Sequence, residues 1–199
     1  MSDTQDIQPS APEESKPKRY NLFYTGGIYP QSVNNIRGSF IEAVKENAAS
    51  VNFYLSSSGG ELDSALSLYH FLRALPIPLT IHNVGTVDSA AVMVYMAADT
   101  RLAVPDSWFL LHSMMLFGNS PIDAPRLLER SRGVDRFAEV YAKIVEERAK
   151  SVLNIYEILR GDTSSLIIDP DKALETGIIT GIAPVEAISV DDVNISIST

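Results

Sequence analysis

Apolar and polar positions along this chain follow two spacings in turn, one typical of strands and one typical of helices. YNLFYTG, from Tyr20, predicts a strand, and Ser32 to Ala49 carries apolar residues at helical spacing. VNFYL, residues 51–55, alternates as a strand does, and 62–72 repeats as one face of a helix. PLTIHNV is the third predicted strand, and Gly85 breaks it before an alanine-rich helix.

The second half continues with both element types. A strand pair is predicted at Arg101 to Val104 and Trp108 to His112, with Pro105-Asp106 as the turn between them. Pro125 to Lys150 holds apolar side chains among many charges, which predicts a long amphipathic helix.

The end of the chain predicts three short elements. These are a helix near Val152 to Leu159, a helix that Asp169-Pro170 opens, and a closing strand in IITGIA. Strands that alternate with helices indicate βαβ units and a largely parallel sheet, so the fold class is α/β. Residues 1–19 are rich in Pro, Ser, Glu and Lys and almost free of large apolar side chains, which predicts a disordered tail and leaves 20–199 as one domain.

Composition narrows the function classes. The 199 residues carry a formal net charge of −9 and a pI of about 4.8, which argues against nucleic acid and anionic membranes as partners. The chain has no cysteine, which excludes disulfides, thiolate catalysis and cysteine zinc sites. It also lacks a signal peptide's apolar run and any stretch long enough to span a bilayer. We therefore expect a soluble cytoplasmic protein.

The stretch GTVDSAAVMVYMAAD, residues 85–99, places a serine at the predicted start of a helix. There the backbone N–H groups point outward and the helix dipole favours developing negative charge, so the hydroxyl of Ser89 could attack a carbonyl. The alternative is that Asp88 or Ser89 merely caps the helix, as these residue types commonly do.

A serine nucleophile needs a base, and the chain offers three histidines. His70 falls off the apolar stripe of its helix and is expected to face solvent. His82 lies in mid-strand, where a satisfied structural imidazole is expected. His112 ends the apolar strand WFLLH, where a catalytic group on a rigid element would lie, although it is also compatible with a histidine of no consequence.

Acyl transfer also needs hydrogen-bond donors for the oxyanion. Gly59 and Gly60 follow a strand end and precede a helix, so their amides can approach a ligand without a Cβ in the way. The amide of Ala90, directly after the serine, is the natural second donor. An ordinary Gly-Gly turn is the alternative.

Taken in order, these segments resemble ClpP, the proteolytic subunit family of the Clp protease, within the ClpP/crotonase superfamily. The residues that carry the resemblance are SSGG at 57–60, GTVDSAA at 85–91, RLAVP at 101–105 and FLLH at 109–112. It covers about residues 20–183. The resemblance implies a superhelix of repeated ββα units with a long handle helix.

The resemblance also implies roles for individual residues. Ser89 would be the nucleophile of a serine endopeptidase and His112 its general base and acid, with the amides of Gly60 and Ala90 as the oxyanion hole. The segment SMMLFGN, residues 113–119, would offer an edge for an extended peptide. The residues expected to contact substrate are therefore Gly59, Ser113 and Met114. The side chains of Met114, Met115, Leu116 and Phe117 fit a core or a subunit contact equally well.

The implied assembly is a homo-oligomeric ring or stacked rings, with peptide or unfolded protein as substrate and with no cofactor or metal. The long helix and its neighbours would drive this assembly. The family's N-terminal loop and first helix, which dock an ATPase unfoldase, have no clear counterpart before Tyr20. An ATPase partner is therefore possible but doubtful.

The third member of the catalytic triad matches least well. Counting back without gaps from PDKALETGIIT, Ser165 falls at the position where the family has the triad aspartate. Asp162, three residues upstream, is the candidate for the third catalytic residue. Asp162 fits equally well as an ordinary residue of a turn. Asp88 replaces a small neutral residue and would oppose negative charge on the oxyanion, and Thr180 replaces another family aspartate.

Two other hypotheses come from different classes. One is a catalytically weak or inactive family member that serves as a structural or regulatory partner in a mixed ring. The other is a crotonase-like acyl-CoA enzyme, since that fold also holds an oxyanion between backbone amides. The pair of Ser89 with His112 favours the peptidase.

Overall fold

Strands and helices alternate through the first half of the chain, as the spacing of apolar residues predicts. The computed structural model describes residues 18–114, 123–149, 153–161 and 163–199. Within these ranges, no helix is long and apolar enough to cross a membrane. In chain order the elements are β1 (Arg19–Thr25), α1 (Pro30–Lys45), β2 (Ser50–Ser57), α2 (Leu62–Arg73), β3 (Leu79–Asp88), α3 (Ala90–Tyr95), β4 (Thr100–Ala103), β5 (Trp108–Leu111), α4 (Ala124–Ala149), α5 (Ile155–Arg160), β6 (Leu166–Ile168), α6 (Pro170–Glu175), β7 (Gly181–Ile182) and β8 (Val193–Ile197).

One sheet contains all of these strands, and it is largely parallel, which confirms the α/β class. Its order is β6-β5-β3-β2-β1-β8, and β4 pairs with both β3 and β7. The pairing of β5 with β6 is antiparallel, and the other pairings among the described strands are parallel. The long helix α4 confirms the handle predicted at Pro125 to Lys150.

One face of the sheet forms the core. Leu22, Phe53 and Ile81 occupy equivalent positions on the three central strands and are fully buried. Phe40 of α1 contacts Phe53 edge to face at 5.4 Å, so the amphipathic face of this helix covers the sheet. Burial of such side chains contributes on the order of 2 kcal/mol each.

The opposite face carries a row of three rings across β1, β2 and β3. Phe23 stacks on Tyr54 at 4.6 Å between ring centroids, and Tyr54 stacks on His82 at 4.5 Å. His82 is buried as predicted, but its Nε2 has no hydrogen-bond partner in the described chain, so the expectation of a satisfied imidazole is wrong. Burial lowers the pKa of His82 from 6.5 to about 4, which keeps the ring neutral.

The segment 183–192 connects β7 to β8, and two of its acidic side chains interact with residues of the sheet. Glu186 interacts electrostatically with Tyr54 and His82 and pairs with Arg19 at 2.8 Å. The guanidinium of Arg19 also pairs with Asp192 at 2.7 Å. Strand β8 then pairs with β1, which the sequence analysis did not predict. Arg19, which that analysis assigned to the tail, is the first residue of β1.

The predicted strand pair around Pro105-Asp106 is only partly correct. Both strands and the turn exist, but β4 and β5 do not pair with each other. Strand β4 lies beside Thr80–Asn83 of β3, and β5 lies beside Thr86–Asp88 further along the same strand. The turn therefore moves the chain along β3 instead of reversing it, which preserves the parallel arrangement.

The prediction that Gly85 ends the third strand is wrong, because β3 continues to Asp88. A Cβ at Gly85 would lie 2.8 Å from the Oγ of Ser56 on the neighbouring strand. The pairing of β2 with β3 shifts register between Leu55 and Ser57. Glycine thus permits close approach at an irregularity of the ladder, and the strand carries on to the serine.

The arginine of RLAVP joins elements that are distant in sequence. Arg101 is buried, and its guanidinium donates to the carbonyls of Ala98, Gly177 and Ile178 at 2.8 to 3.0 Å. Thr180, which stands in place of a family aspartate, exchanges backbone and hydroxyl hydrogen bonds with Arg101. The planar guanidinium suits several carbonyl acceptors at once, so this residue fixes the end of α3 against the region after α6.

Candidate active site

Three parallel strands end at one edge of the sheet, where a cavity of about 830 Å³ opens. Strand β2 ends at Ser57, β3 at Asp88 and β5 at Leu111. The turns that follow bring the predicted nucleophile and base to the same place, because Ser89 and His112 both line this cavity. This is the edge at which parallel α/β sheets hold their ligands.

Ser89 occupies a sharp turn between β3 and α3. Its φ of 52° and ψ of −128° lie outside the regions that residues with a side chain usually adopt. Three hydrogen bonds hold this conformation: the Ser89 N–H donates to the carbonyl of Leu110 at 2.7 Å, the Tyr141 hydroxyl donates to the carbonyl of Ser89 at 2.7 Å, and the Val92 N–H donates to the same carbonyl at 3.0 Å.

The hydroxyl of Ser89 does not cap α3. The residue stands at the N-cap position, but its side chain makes no capping hydrogen bond. The hydroxyl oxygen of a capping serine accepts a hydrogen bond from the N–H two or three residues later, so the capping alternative does not explain Ser89. Backbone strain at a serine that faces a cavity instead indicates chemistry.

No side chain fits at Gly59, which approaches the serine, or at Gly60, which approaches Ile28. A Cβ on Gly59, where φ is +87°, would lie 2.8 Å from the Cβ of Ser89 and 3.0 Å from the nitrogen of Ala90. A Cβ on Gly60 would overlap the backbone of Ile28, with which Gly60 forms an isolated bridge. Gly59 is thus required by its contact with Ser89 and Gly60 by its contact with Ile28, so the pair is more than an ordinary turn.

Of the two residues predicted to supply oxyanion donors, Ala90 directly follows the serine and Gly60 lines the same cavity. In the described ranges, neither the Gly60 nor the Ala90 N–H donates a hydrogen bond, whereas the Gly59 N–H donates to the Oγ of Ser57 at 3.2 Å. Ala90 is the first residue of α3, so its N–H also carries the positive end of the helix dipole. The arrangement can accept a negatively charged oxygen.

His112 follows β5 directly and is half-buried at the cavity wall. Its Nδ1 lies 2.7 Å from the carbonyl oxygen of Ser113. Because a carbonyl oxygen can only accept, Nδ1 carries the proton and Nε2 keeps its lone pair. The imidazole is therefore held in the tautomer that a general base requires, although a backbone carbonyl and not a carboxylate holds it.

Asp88 comes directly before the serine and has a half-buried carboxylate. The hydroxyl of Thr86 donates to it at 2.5 Å, and the backbone of Leu110 also donates to it. Burial raises the pKa of Asp88, while these two hydrogen bonds and the nearby His112 oppose the rise. The carboxylate of Asp88 is thus held by hydrogen bonds and interacts electrostatically with His112.

Most of the other predicted residues fall outside the part of the chain that the structure describes. Asp162 and the apolar residues Met115, Leu116 and Phe117 lie outside the described residues. Ser165 is exposed.

Of the two residues after His112 that are expected to contact substrate, Met114 lines the cavity and Ser113 does not. Met114 lines the cavity, and its N–H donates to the carbonyl of Leu159 at 2.9 Å, so the first part of the predicted peptide-binding edge already pairs with α5. Ser113 contributes its carbonyl to His112 and is not among the described residues that line the cavity.

The long helix supplies a wall of the cavity that the sequence analysis did not assign. Arg130, Gly133, Val134 and Phe137 all line the cavity and follow the spacing of one helix face. Helical periodicity could have identified this face, but nothing in the sequence says that it lies opposite the serine. Tyr141, one turn further, reaches the carbonyl of Ser89.

Comparison with known proteins agrees with the family and the fold that the sequence predicts. Residues 17–186 match the family model described as Clp protease. The chain is 24% identical over 163 residues to the ATP-dependent Clp protease proteolytic subunit of Deinococcus radiodurans, covering 79% of this chain and 77% of that protein. It is 22% identical over 172 residues to proteolytic subunit 3 of Rhizobium etli, covering 85% and 87%.

Among solved structures, the fold is similar to that of a ClpP1 mutant from Listeria monocytogenes. The TM-score is 0.68 at 16% sequence identity, and the alignment covers 82% of this chain and 90% of that one. This likeness supports the ClpP-like arrangement of the sheet and the handle helix. The family match covers most of the chain, and the chain therefore belongs to the Clp protease family.

Proposed function

We propose that this protein is a serine endopeptidase that cleaves peptides or unfolded proteins. The observation that carries the proposal is the strained turn at Ser89, whose hydroxyl caps no helix and which shares one cavity with His112. The proposal assigns the N–H groups of Gly60, which lines the same cavity, and of Ala90, the residue after the serine, as donors to the developing oxyanion.

The geometry supports the following sequence of steps. The Oγ of Ser89 attacks the substrate carbonyl carbon while its proton moves to Nε2 of His112. The carbonyl oxygen becomes an oxyanion that accepts hydrogen bonds from the N–H groups of Gly60 and Ala90. The C–N bond then breaks, and Nε2 returns the proton to the leaving amine. Water repeats the same steps on the acyl-enzyme, which releases the acid and restores the serine.

The proposal includes assembly into a homo-oligomeric ring or stacked rings. Leu127 and Leu128 on α4 are 53% and 54% exposed, and Ile167 on the edge strand β6 is 70% exposed. Large apolar side chains on a long helix and on a sheet edge favour burial against another copy of the chain. An enclosed chamber would admit only unfolded or short chains. The relatives are named as subunits of an ATP-dependent protease.

The alternative is a weak or inactive subunit that serves as a structural partner in a mixed ring. It is favoured by one observation, which is that the described hydrogen bond of His112 Nδ1 goes to the carbonyl of Ser113. A neutral carbonyl orients the ring but does not compensate its positive charge.

A fluorophosphonate probe distinguishes the two. The peptidase predicts stoichiometric labelling of the assembled protein at Ser89, loss of the label in Ser89→Ala, and hydrolysis of a fluorogenic peptide. Ser67→Ala, an exposed serine of α2 outside the cavity, is the matched control and should label as the wild type does. An assembled wild-type protein that takes up no probe would support the inactive subunit.

A further inference from the structure

Tyr29, the residue before helix α1, presents an aromatic ring to the candidate active-site cavity. It lines this cavity together with Ser89 and His112, and it is 52% exposed. A single exposed aromatic residue is common on protein surfaces, so exposure alone says little about its role. What distinguishes Tyr29 is the way in which the neighbouring backbone holds its ring.

Gly27 leaves the space that the ring of Tyr29 occupies. A Cβ on Gly27 would overlap Cε2 of this ring and lie 3.0 and 3.1 Å from Cδ2 and Cζ, and these are the three nearest atoms. The φ angle of Gly27 is outside the left-handed region, so its backbone conformation does not require glycine. The contact with Tyr29 therefore accounts for the glycine, and one edge of the ring lies directly against the main chain.

Hydrogen bonds fix the loop on both sides of this contact. The carbonyl of Gly27 accepts from the hydroxyl of Tyr24 at 2.5 Å and from that of Ser32 at 2.8 Å. The N–H of Tyr29 donates to the Oγ of Ser32 at 2.9 Å. A ring on such a loop is already in place before a ligand arrives, so binding costs little conformational entropy.

The same loop is joined to the glycine turn beside the nucleophile. The N–H of Ile28 donates to the carbonyl of Gly59 at 2.7 Å, and the N–H of Glu61 donates to the carbonyl of Ile28 at 2.9 Å. Gly59 is the residue that approaches Ser89. An extended peptide advances about 3.3 Å per residue, so a substrate held at Ser89 brings a side chain close to the scissile bond against Tyr29.

We propose that Tyr29 is a specificity-determining residue that binds an aromatic side chain of the substrate, one or two residues from the scissile bond. This inference rests on the proposed peptidase function. Two aromatic rings in offset or edge-to-face contact attract each other more than their buried area alone predicts. The contact is the same in the ground state and in the transition state, so it lowers KM and leaves kcat unchanged.

Charged side chains at the same cavity suggest a different selection. Glu61 and Asp63 at the start of α2 and Arg130 on α4 all line the cavity, and all three are exposed. They carry both signs and are screened by water, so together they do not favour one charge strongly. Selection of a charged substrate residue is therefore the competing outcome of the test.

Fluorogenic peptides with Phe, Leu, Ala, Lys or Glu at each of the two positions on either side of the scissile bond provide the test. We expect the wild type to prefer Phe over Ala at one position by about tenfold in kcat/KM. Tyr29→Ala should remove most of this preference through KM, and Tyr29→Phe should retain most of it. Ile41→Ala, which removes a 44% exposed side chain of α1 outside the described lining, is the matched control and should keep the preference.

Gly27→Ala displaces the ring without removing it. The tyrosine can rotate about χ1, so the added Cβ should move the ring at little cost in stability and should reduce the preference for Phe as Tyr29→Ala does. In a Tyr29→Ala background the same substitution should have no further effect on the preference, because the ring it displaces is gone. Gly38→Ala, where a Cβ meets nothing within 4 Å, is the control.

An unchanged ratio of Phe to Ala at every position in Tyr29→Ala would overturn the inference, and so would a wild-type preference for Lys or Glu. A fall in kcat with a lower melting temperature would mean a structural role and would also overturn it. Fluorescence anisotropy of labelled Phe and Ala peptides on Ser89→Ala and Ser89→Ala/Tyr29→Ala measures the preference without turnover. If the wild type labels with fluorophosphonate and Tyr29→Ala changes neither readout, this inference fails and the peptidase proposal stands. If the wild type takes up no probe while the double variant loses the preference for Phe, the peptidase proposal fails and the binding role of Tyr29 stands.

Discussion

His82 and His112 occupy two regions of the same sheet, and their surroundings give one residue type two different tasks. His82 lies in the middle of β3, buried and stacked on Tyr54. His112 lies just past the end of β5, half-buried at the wall of a cavity. The first ring is kept neutral by burial, whereas the second is oriented by a carbonyl beside a serine.

The comparison shows that the position of a histidine along a parallel strand decides whether it has a structural or a catalytic environment. In mid-strand, the neighbours on both sides are other strands, so an imidazole becomes a flat side chain in a stack. At the carboxyl end, the next strand and the turns leave room for a ligand, and bare N–H groups become available. Substitutions at the strand end should therefore change rate, and substitutions in mid-strand should change stability.

The largest effect is expected for His112→Ala. Without a base for the Ser89 proton, kcat/KM for a fluorogenic peptide should fall by about 10³ to 10⁴-fold. The free energy of unfolding should change little, because the ring is only half-buried at the end of its strand. His70→Ala, on the exposed face of α2, is the control and should keep full activity. A His112→Ala protein within tenfold of wild type would remove the imidazole from the mechanism.

The next effect is expected for Gly59→Ala, which tests the opposite side of the nucleophile. The added Cβ would meet Ser89 and the nitrogen of Ala90 at 2.8 and 3.0 Å, in a backbone conformation with φ of +87°. We expect a loss of about 10² to 10³-fold in kcat, the size of losing one oxyanion donor. The melting temperature should fall as well.

Gly38→Ala is the matched control for this substitution. Gly38 lies in α1 at an exposed position where a Cβ would meet nothing within 4 Å. Alanine there should raise the free energy of unfolding by about 0.5 to 1 kcal/mol and leave kcat unchanged. If both variants behave alike, the contact between Gly59 and Ser89 has no catalytic consequence.

His82, the mid-strand histidine, should make the free energy of unfolding depend on pH. The pKa of His82 is lowered to about 4 from 6.5, so the unfolded chain binds more protons than the folded chain between these values. Stability from this group is complete above about pH 6.5 and falls as the pH is lowered toward 4. Between about pH 7.5 and pH 5 the wild type should lose about 2 kcal/mol through His82.

His82→Phe should remove that loss, because phenylalanine continues the stack on Tyr54 and does not titrate. The measurement is the urea unfolding midpoint at both pH values, in the variant and in His70→Gln, whose exposed ring should not alter the pH dependence. Activity at neutral pH should be close to wild type in both. Equal pH dependence in His82→Phe and the wild type would mean that His82 is not the group that titrates.

Much of the fold follows from local signals that the sequence carries. The helix at Leu62–Arg73 shows clear periodicity and is followed by Pro76 and Pro78, and the predicted helix from Pro125 to Lys150 matches α4 within a residue. Ser89 could be singled out because it lies at the predicted start of a helix, and His112 because it ends a predicted strand. These signals depend only on residues that are close in sequence, so the sequence is enough to predict the elements.

The parts that were not predicted depend on contacts between distant segments. Strand β8 alternates as a strand does in VNISI, but its pairing with β1, more than 170 residues away, has no local signal. The continuation of β3 through Gly85 depends on Ser56 in the neighbouring strand. The cavity wall on α4 likewise depends on how the helix lies across the sheet edge. Periodicity predicts an element but not its partner.

The smallest effect is expected for Tyr141→Phe, which links the handle helix to the nucleophile. The buried hydroxyl donates to the carbonyl of Ser89 at 2.7 Å, and the same carbonyl also accepts from the Val92 N–H at 3.0 Å. Since one donor remains, the turn should persist, with a loss of about 1 kcal/mol in the free energy of unfolding and a fall in kcat of only a few-fold. Tyr156→Phe, a half-buried tyrosine of α5, is the control. A fall in kcat as large as that of Gly59→Ala would mean that α4, and not the strand ends alone, sets the position of the serine.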